Sequence, residues 1–223
     1  MKILLKILSW SEVWALFLPL TVLFMRKEQP RYAKPVILYL FLALLLNLTA
    51  DIITEFKVKW HFPRILQSNT ILYNVHSVIR FSCFTYFFIL LRQPFLKGLK
   101  RLIPYVFVLF FIVDFLFVEP FYNADQLSGN LFTAEAYLLL VYCILYYLYQ
   151  LKKEPRAQKR GKDFWIVLGL SIYVILNFFI FLFYDSMLNT DKYLAIGMWR
   201  IHDAAYIILN FFIAKAFYVS DRL

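Results

Sequence analysis

The sequence predicts an all-α, polytopic integral membrane protein with seven transmembrane helices, and three observations carry that prediction. The 223-residue chain is 62% hydrophobic and 21% aromatic, with a mean hydropathy of +0.66; a soluble domain of this length is closer to half apolar. Apolar stretches near the length that crosses a bilayer, about 20 residues, recur at 8–25, 36–56, 68–91, 102–118, 131–150, 164–184 and 194–218. The short loops between them alternate in charge. Arg26, Lys27, Arg31 and Lys34 follow the first span, Arg92, Lys97, Lys100 and Arg101 the third, and Lys152 to Lys162 the fifth. The other loops hold Lys57, Lys59 and Arg64, then Glu119 and Asp125, then Asp185, Asp191 and Lys192. The positive-inside rule then predicts an outside N-terminus and a cytoplasmic C-terminus.

Each span has its own features. Span 1 carries Glu12 between Trp10 and Trp14 and has no small-residue cleavage site, so it reads as a retained span rather than a signal peptide. Pro19 is its expected kink. Span 2 turns Asn47, Asp51 and Glu55 to one side. Span 3 contains YNVHSVIRF, in which Tyr73, His76, Ser77 and Arg80 follow i, i+3, i+4, i+7 and share one helical stripe. Span 4 has Pro104 in its first turn and Asp114 near its outer end. On span 5, Glu135 and Tyr142 share a face. Asp163 precedes span 6 and is expected to cap it. Span 7 has a stripe of Trp199, Asp203, Tyr206 and Asn210, flanked by Arg200 and His202. Spans 6 and 7 echo each other in IYVILNFFI (172–180) and AYIILNFFI (205–213), which reads as one way of packing a buried amide, Asn177 or Asn210. Among glycines, Gly169 and Gly197 alone fall within spans. The paired Gly/Pro interruptions common at transporter binding sites are missing, so a single compact seven-helix domain over 1–223, filled by aromatics, is expected.

Composition also removes several function classes. The net charge of +10 follows the topology and suits contact with anionic membrane lipids, so no nucleic-acid partner is expected. Cys83 and Cys143 lie inside spans and form neither a disulfide framework nor a metal spacing. Short loops leave no room for a soluble catalytic domain.

Charges near a bilayer centre cost at least about 2.5–3.5 kcal/mol each unless they find a partner or water. At about 1.5 Å rise per residue, Glu135 lies roughly 6 Å from the outer end of its span, Asp51 about 8 Å and Arg200 about 9 Å. His76 and His202 fall at about 12 Å, Asp203 and Asn47 at about 14 Å, and Arg80 at about 18 Å. Four helices thus carry polar stripes in the outer half, and convergence in the bundle would let Asp203 or Asp51 neutralise Arg80. Two readings follow: a structural network fixing helix register, or an outward-facing polar pocket. The pocket would bind a small anionic or amphiphilic ligand, gripped by Arg80 and Arg200, with His76, Asp203, Tyr73, Asp51, Glu135, His202 and Tyr206 around it. No catalytic residue, cofactor or metal is expected in that reading, because no specific nucleophile–base motif is present. Lys215 invites a retinal Schiff base, but it stands about one turn from the cytoplasmic end with Phe211 rather than an acid one turn before it, and reads as a snorkelling anchor.

Two families share parts of this pattern. His76, Ser77, Asp51, His202 and Asp203 resemble the pieces of the membrane hydrolase superfamily that includes alkaline ceramidases and adiponectin-type receptors, whose zinc is held by three histidines with an Asp and a Ser nearby. That resemblance implies an intramembrane zinc-dependent lipid hydrolase with His76, His202 and Asp203 as ligands, although Tyr206 replaces the second histidine of the family's last-helix pair. YNVHSVIRF, DFWIVLGLSIY and WRIHDAAYIILNFFIAKAF resemble, in pattern and topology, the seven-helix modules of uncharacterised bacterial membrane proteins similar to sensor histidine kinase input domains. This second resemblance implies a sensor or receptor-like protein of the bacterial inner (cytoplasmic) membrane. Four residues follow Val219, so output is expected to pass to a separate cytoplasmic signalling partner through the basic loops. A transporter or channel is the third reading, disfavoured by an inner half in which Asn210 stands nearly alone.

Overall fold

A computed structural model describes residues 2–26, 28–60, 69–118, 127–152 and 161–219, and these are all helical, without a strand. The helices are α1 (Lys2–Ser9), α2 (Ser11–Met25), α3 (Lys34–Trp60, preceded by a 3₁₀ turn at Arg31–Ala33), α4 (Thr70–Leu90), α5 (Lys97–Phe117), α6 (Gly129–Leu151), α7 (Lys162–Thr190) and α8 (Lys192–Tyr218). His61, Arg64, Glu119, Asp125 and the basic run 153–160 lie outside the described residues, as do the side chains of Lys27, Lys57, Lys59, Asp185 and Lys192.

The helices α2, α3, α4, α6, α7 and α8 pack in succession, and α8 returns to α2, which closes a ring of six. Helix α5 lies outside the ring against α4 and α6, and α1 packs on α2 and α8. Three apolar segments are long enough to cross a membrane: Arg31–Phe56, Gly129–Leu151 and Lys162–Tyr184. Ser11–Met25 is apolar but shorter. Helices α4 and α8 carry the polar stripes, and α5 begins with Lys97, Lys100 and Arg101, which lowers their hydropathy without shortening them.

Aromatic rings fill the contacts that small residues would otherwise make. Phe81 stacks on Phe107 at 3.8 Å and Phe88 on Tyr142 at 5.0 Å, locking α4 to α5 and α6; such pairs are worth about 0.5–1.5 kcal/mol beyond their burial. The exception is Gly169. A Cβ there would stand 2.6 Å from Cβ of Phe212 and 3.3 Å from the Leu209 carbonyl, so the close approach of α7 and α8 depends on the missing side chain.

Two local expectations are corrected. The first span is interrupted at Trp10, between α1 and α2, while Pro19 sits buried within α2. Asp163 is not a cap: Gly161 precedes α7, and Asp163 in the first turn accepts a hydrogen bond of 2.8 Å from the Tyr146 hydroxyl. There its charge favours the helix N-terminus. Side-chain caps do occur at Ser128 for α6 and Asp191 for α8. Lys215 stands with its Nζ 3.9 Å from the centre of the Trp165 ring, a cation–π contact at the end of the bundle remote from the polar stripes.

Candidate functional site

The centre of the ring holds two polar networks that meet at Tyr173. In the first, Arg80 of α4 meets Glu135 of α6 in a forked pair, Nε to Oε1 at 2.5 Å and Nη2 to Oε2 at 2.7 Å. Ser77 donates to the same carboxylate at 2.5 Å, and the Tyr173 ring covers the guanidinium at 5.0 Å. All four side chains are buried. Paired charge-assisted bonds of this geometry are the strong kind, and they answer the cost of an arginine at this depth. The partner is therefore Glu135, and neither Asp203 nor Asp51, the sequence-based expectations. Helix α4 packs between α3 and α6, and it is α6 that brings a carboxylate onto the guanidinium.

The second network links α2, α3, α7 and α8. Asn177 Nδ2 donates to the Tyr173 carbonyl at 2.8 Å, which turns its Oδ1 toward His202. His202 Nδ1 then donates to that oxygen at 2.5 Å, and His202 Nε2 meets Glu12 Oε1 at 3.1 Å. One proton between Nε2 and Oε1 completes the bond, whichever of the two groups carries it. Asn47 donates to the Glu12 carbonyl at 2.9 Å and reaches the Tyr206 hydroxyl at 3.4 Å, where the Tyr39 hydroxyl also arrives. His76 stacks on Tyr39 at 5.7 Å and meets Tyr206 edge-on; its Nε2 is buried without a hydrogen-bond partner among the described residues.

Beside this network lie two acids with no neutralising partner among the described residues. Asp203 is 4% exposed and Asp51 half-buried. Neither has a hydrogen bond or ion pair among the described residues, and Asp51 Oδ2 is fully occluded. Both are close enough to Glu12 to repel it. The Tyr73 hydroxyl lies beside Glu12, within electrostatic reach of Asp51 and Asp203. Tyr73 also lines an open cavity of about 270 Å³ between the starts of α4 and α8 and the end of α7, together with Asn69, Thr70, Leu127, Tyr184 and Trp199. Its wall is aromatic: Trp199 meets Tyr73 edge-on at 5.7 Å and Tyr184 at a tilt at 5.8 Å.

Of the residues singled out in the sequence, Tyr73, His76, Arg80, Asp51, Glu135, His202, Asp203 and Tyr206 converge in the ring, although in two networks rather than one. Arg200 does not: it is exposed on the outer surface of α8. The proposed zinc set of His76, His202 and Asp203 does not assemble, since no three His, Cys, Asp or Glu groups among the described residues form a metal-ligating cluster. His202 instead spends both ring nitrogens on Asn177 and Glu12. Sequence reasoning picks out Glu12, Asn177 and Trp199 without assigning them to the site, and leaves out Tyr184. A lone glutamate in an otherwise apolar span was the available signal for the first, and the echoed Asn for the second. No protein-family model, curated protein or solved structure matches the chain.

Proposed function

We propose that this chain is a seven-helix integral membrane protein, α2 to α8 each crossing the bilayer, that binds a small molecule in the cavity walled by Tyr73, Tyr184 and Trp199. The membrane assignment is supported by an inverted polarity: charges sit inside the ring, while Phe41 and Leu45 of α3, Leu109 and Leu116 of α5, Phe179 of α7 and Phe211 of α8 are exposed. Contiguous apolar exposure on this scale suits lipid rather than water. With the basic loops in the cytoplasm, the cavity faces outward, and a receptor-like or sensing role follows. The bacterial inner membrane, a cytoplasmic signalling partner and contact with anionic lipid belong to the same proposal.

The observation that carries the binding reading is the cavity itself, open at one end and continuous through Tyr73 with a buried network that has unsatisfied members. A purely structural network would be expected to satisfy its own groups. An anion-gripping role for Arg80 loses its basis, because the Glu135 carboxylate, itself held by Ser77, occupies the guanidinium. Native mass spectrometry of the full chain in a mild detergent tests the proposal. A discrete organic adduct is expected, retained by the wild type and lost in Trp199→Ala. An adduct indifferent to that substitution would place the ligand elsewhere, and a bound zinc would favour the hydrolase.

A further inference from the structure

The geometry points to a small organic cation, an ammonium carried on a compact apolar body, as the ligand of the Tyr73–Tyr184–Trp199 cavity. This rests on the reading of that cavity as a binding site and adds the chemistry of its occupant. The first argument is the wall. Three electron-rich rings, Tyr73 edge-on to Trp199 and Tyr184 tilted against it, are of the kind that attracts ammonium groups, with tryptophan the strongest of them.

The second argument is the charge beneath. Asp203 stands one helical turn below Trp199 on α8 and is buried without a partner among the described residues. Asp51 has an occluded oxygen with no partner among the described residues, and Glu12 lies beside the Tyr73 hydroxyl. Against these three carboxyl groups the described structure sets two imidazoles: His202, held by Glu12, and His76, stacked on Tyr39 and edge-on to Tyr206. Arg80 is neutralised by Glu135, and Arg200 faces away. A buried carboxylate needs a counter-charge or a proton, and a cation entering from the cavity supplies the former. An anion would meet repulsion at the same place.

The third argument is size. A cavity of about 270 Å³ sits at the lower end of the range for small-molecule sites and suits an amine of roughly ten non-hydrogen atoms rather than a lipid or a peptide.

Isothermal titration of the full chain in nanodiscs, with empty nanodiscs as the blank for partitioning, tests this. The probes are three isosteric molecules: phenethylammonium, 2-phenylethanol and phenylacetate. Phenethylammonium is expected to saturate and phenylacetate not to bind. Trp199→Ala should abolish the binding, and Asp203→Asn should weaken it on the order of tenfold or more, the scale of a desolvated cation–π or ion-pair contact. Asp51→Asn provides the same test of charge if Asp203→Asn fails to fold. Binding of the alcohol or the acid as tight as that of the ammonium, and lost in Trp199→Ala, would keep the cavity as a site and overturn the cation. No saturable probe, or binding untouched by Trp199→Ala, would overturn both.

Discussion

At the scale of single residues, Arg80 and Glu135 form the contact on which the rest of the interior is arranged. Removing one member leaves a bare charge where water cannot follow, so Arg80→Leu or Glu135→Leu is expected to lower stability by about 3–5 kcal/mol. The double replacement by leucine should recover most of that loss, because the desolvation cost disappears with both charges. Thermal unfolding of the four proteins in one detergent gives the cycle; equal and additive losses would mean that the pair is not coupled. The stripe on α4 was legible from spacing alone, and so was the need for a partner. The partner was not. Counted from the ends of the predicted spans, Arg80 lies roughly 12 Å deeper than Glu135; counted from the observed helix starts at Thr70 and Gly129, the difference is about one turn. Side chains on a helix lean back toward its N-terminus, and the long arginine covers that turn.

At the scale of elements, the echo between α7 and α8 has a structural basis. In each, an asparagine donates to the carbonyl of the tyrosine four residues before it, Asn177 to Tyr173 and Asn210 to Tyr206, and the two tyrosine rings meet edge-on at 6.0 Å. The repeated words in the sequence thus mark one backbone device used on two antiparallel helices. Only Asn177 goes on to engage a histidine. The same two helices set a test on glycine. Gly169→Ala is expected to cost about 1–3 kcal/mol by pushing α8 away through Phe212, while Gly197→Ala meets nothing within 4 Å and should gain about 0.4–1 kcal/mol from the smaller entropy of the unfolded chain. Opposite shifts in melting temperature are the expected result, and shifts of the same sign would contradict the packing. At the start of α8, Asp191 accepts from the backbone N–H of Tyr193 and Leu194, so Asp191→Ala should cost about 0.5–2 kcal/mol in the same assay. Asp163 was expected to cap α7 because acids near helix starts suit both a cap and a first-turn role. The sequence pattern does not separate the two, whereas the position of Tyr146 does.

At the scale of the whole molecule, the all-helical fold and the interior placement of the stripes were readable from hydropathy and period, while the division of the first stretch into α1 and α2 was not. Nor was the ring order, because no local signal states which helix neighbours which. Ring order decides the chemistry here. It gives Glu135 to Arg80, leaves Asp51 and Asp203 without a counter-charge among the described residues, and opens the cavity at the end where α4, α6 and α8 begin and α7 finishes. Which side of the membrane that end faces is therefore the property from which a receptor-like role stands or falls. Both native cysteines, Cys83 and Cys143, are buried, so single added cysteines report cleanly. Tyr193, 88% exposed near the start of α8, and Lys97, exposed at the start of α5, lie at opposite ends of the ring. A membrane-impermeant maleimide is expected to label Tyr193→Cys in intact cells and Lys97→Cys only after lysis, as the positive-inside rule requires. The reverse pattern would turn the cavity toward the cytoplasm, and its ligand would then be an internal amine rather than an external signal.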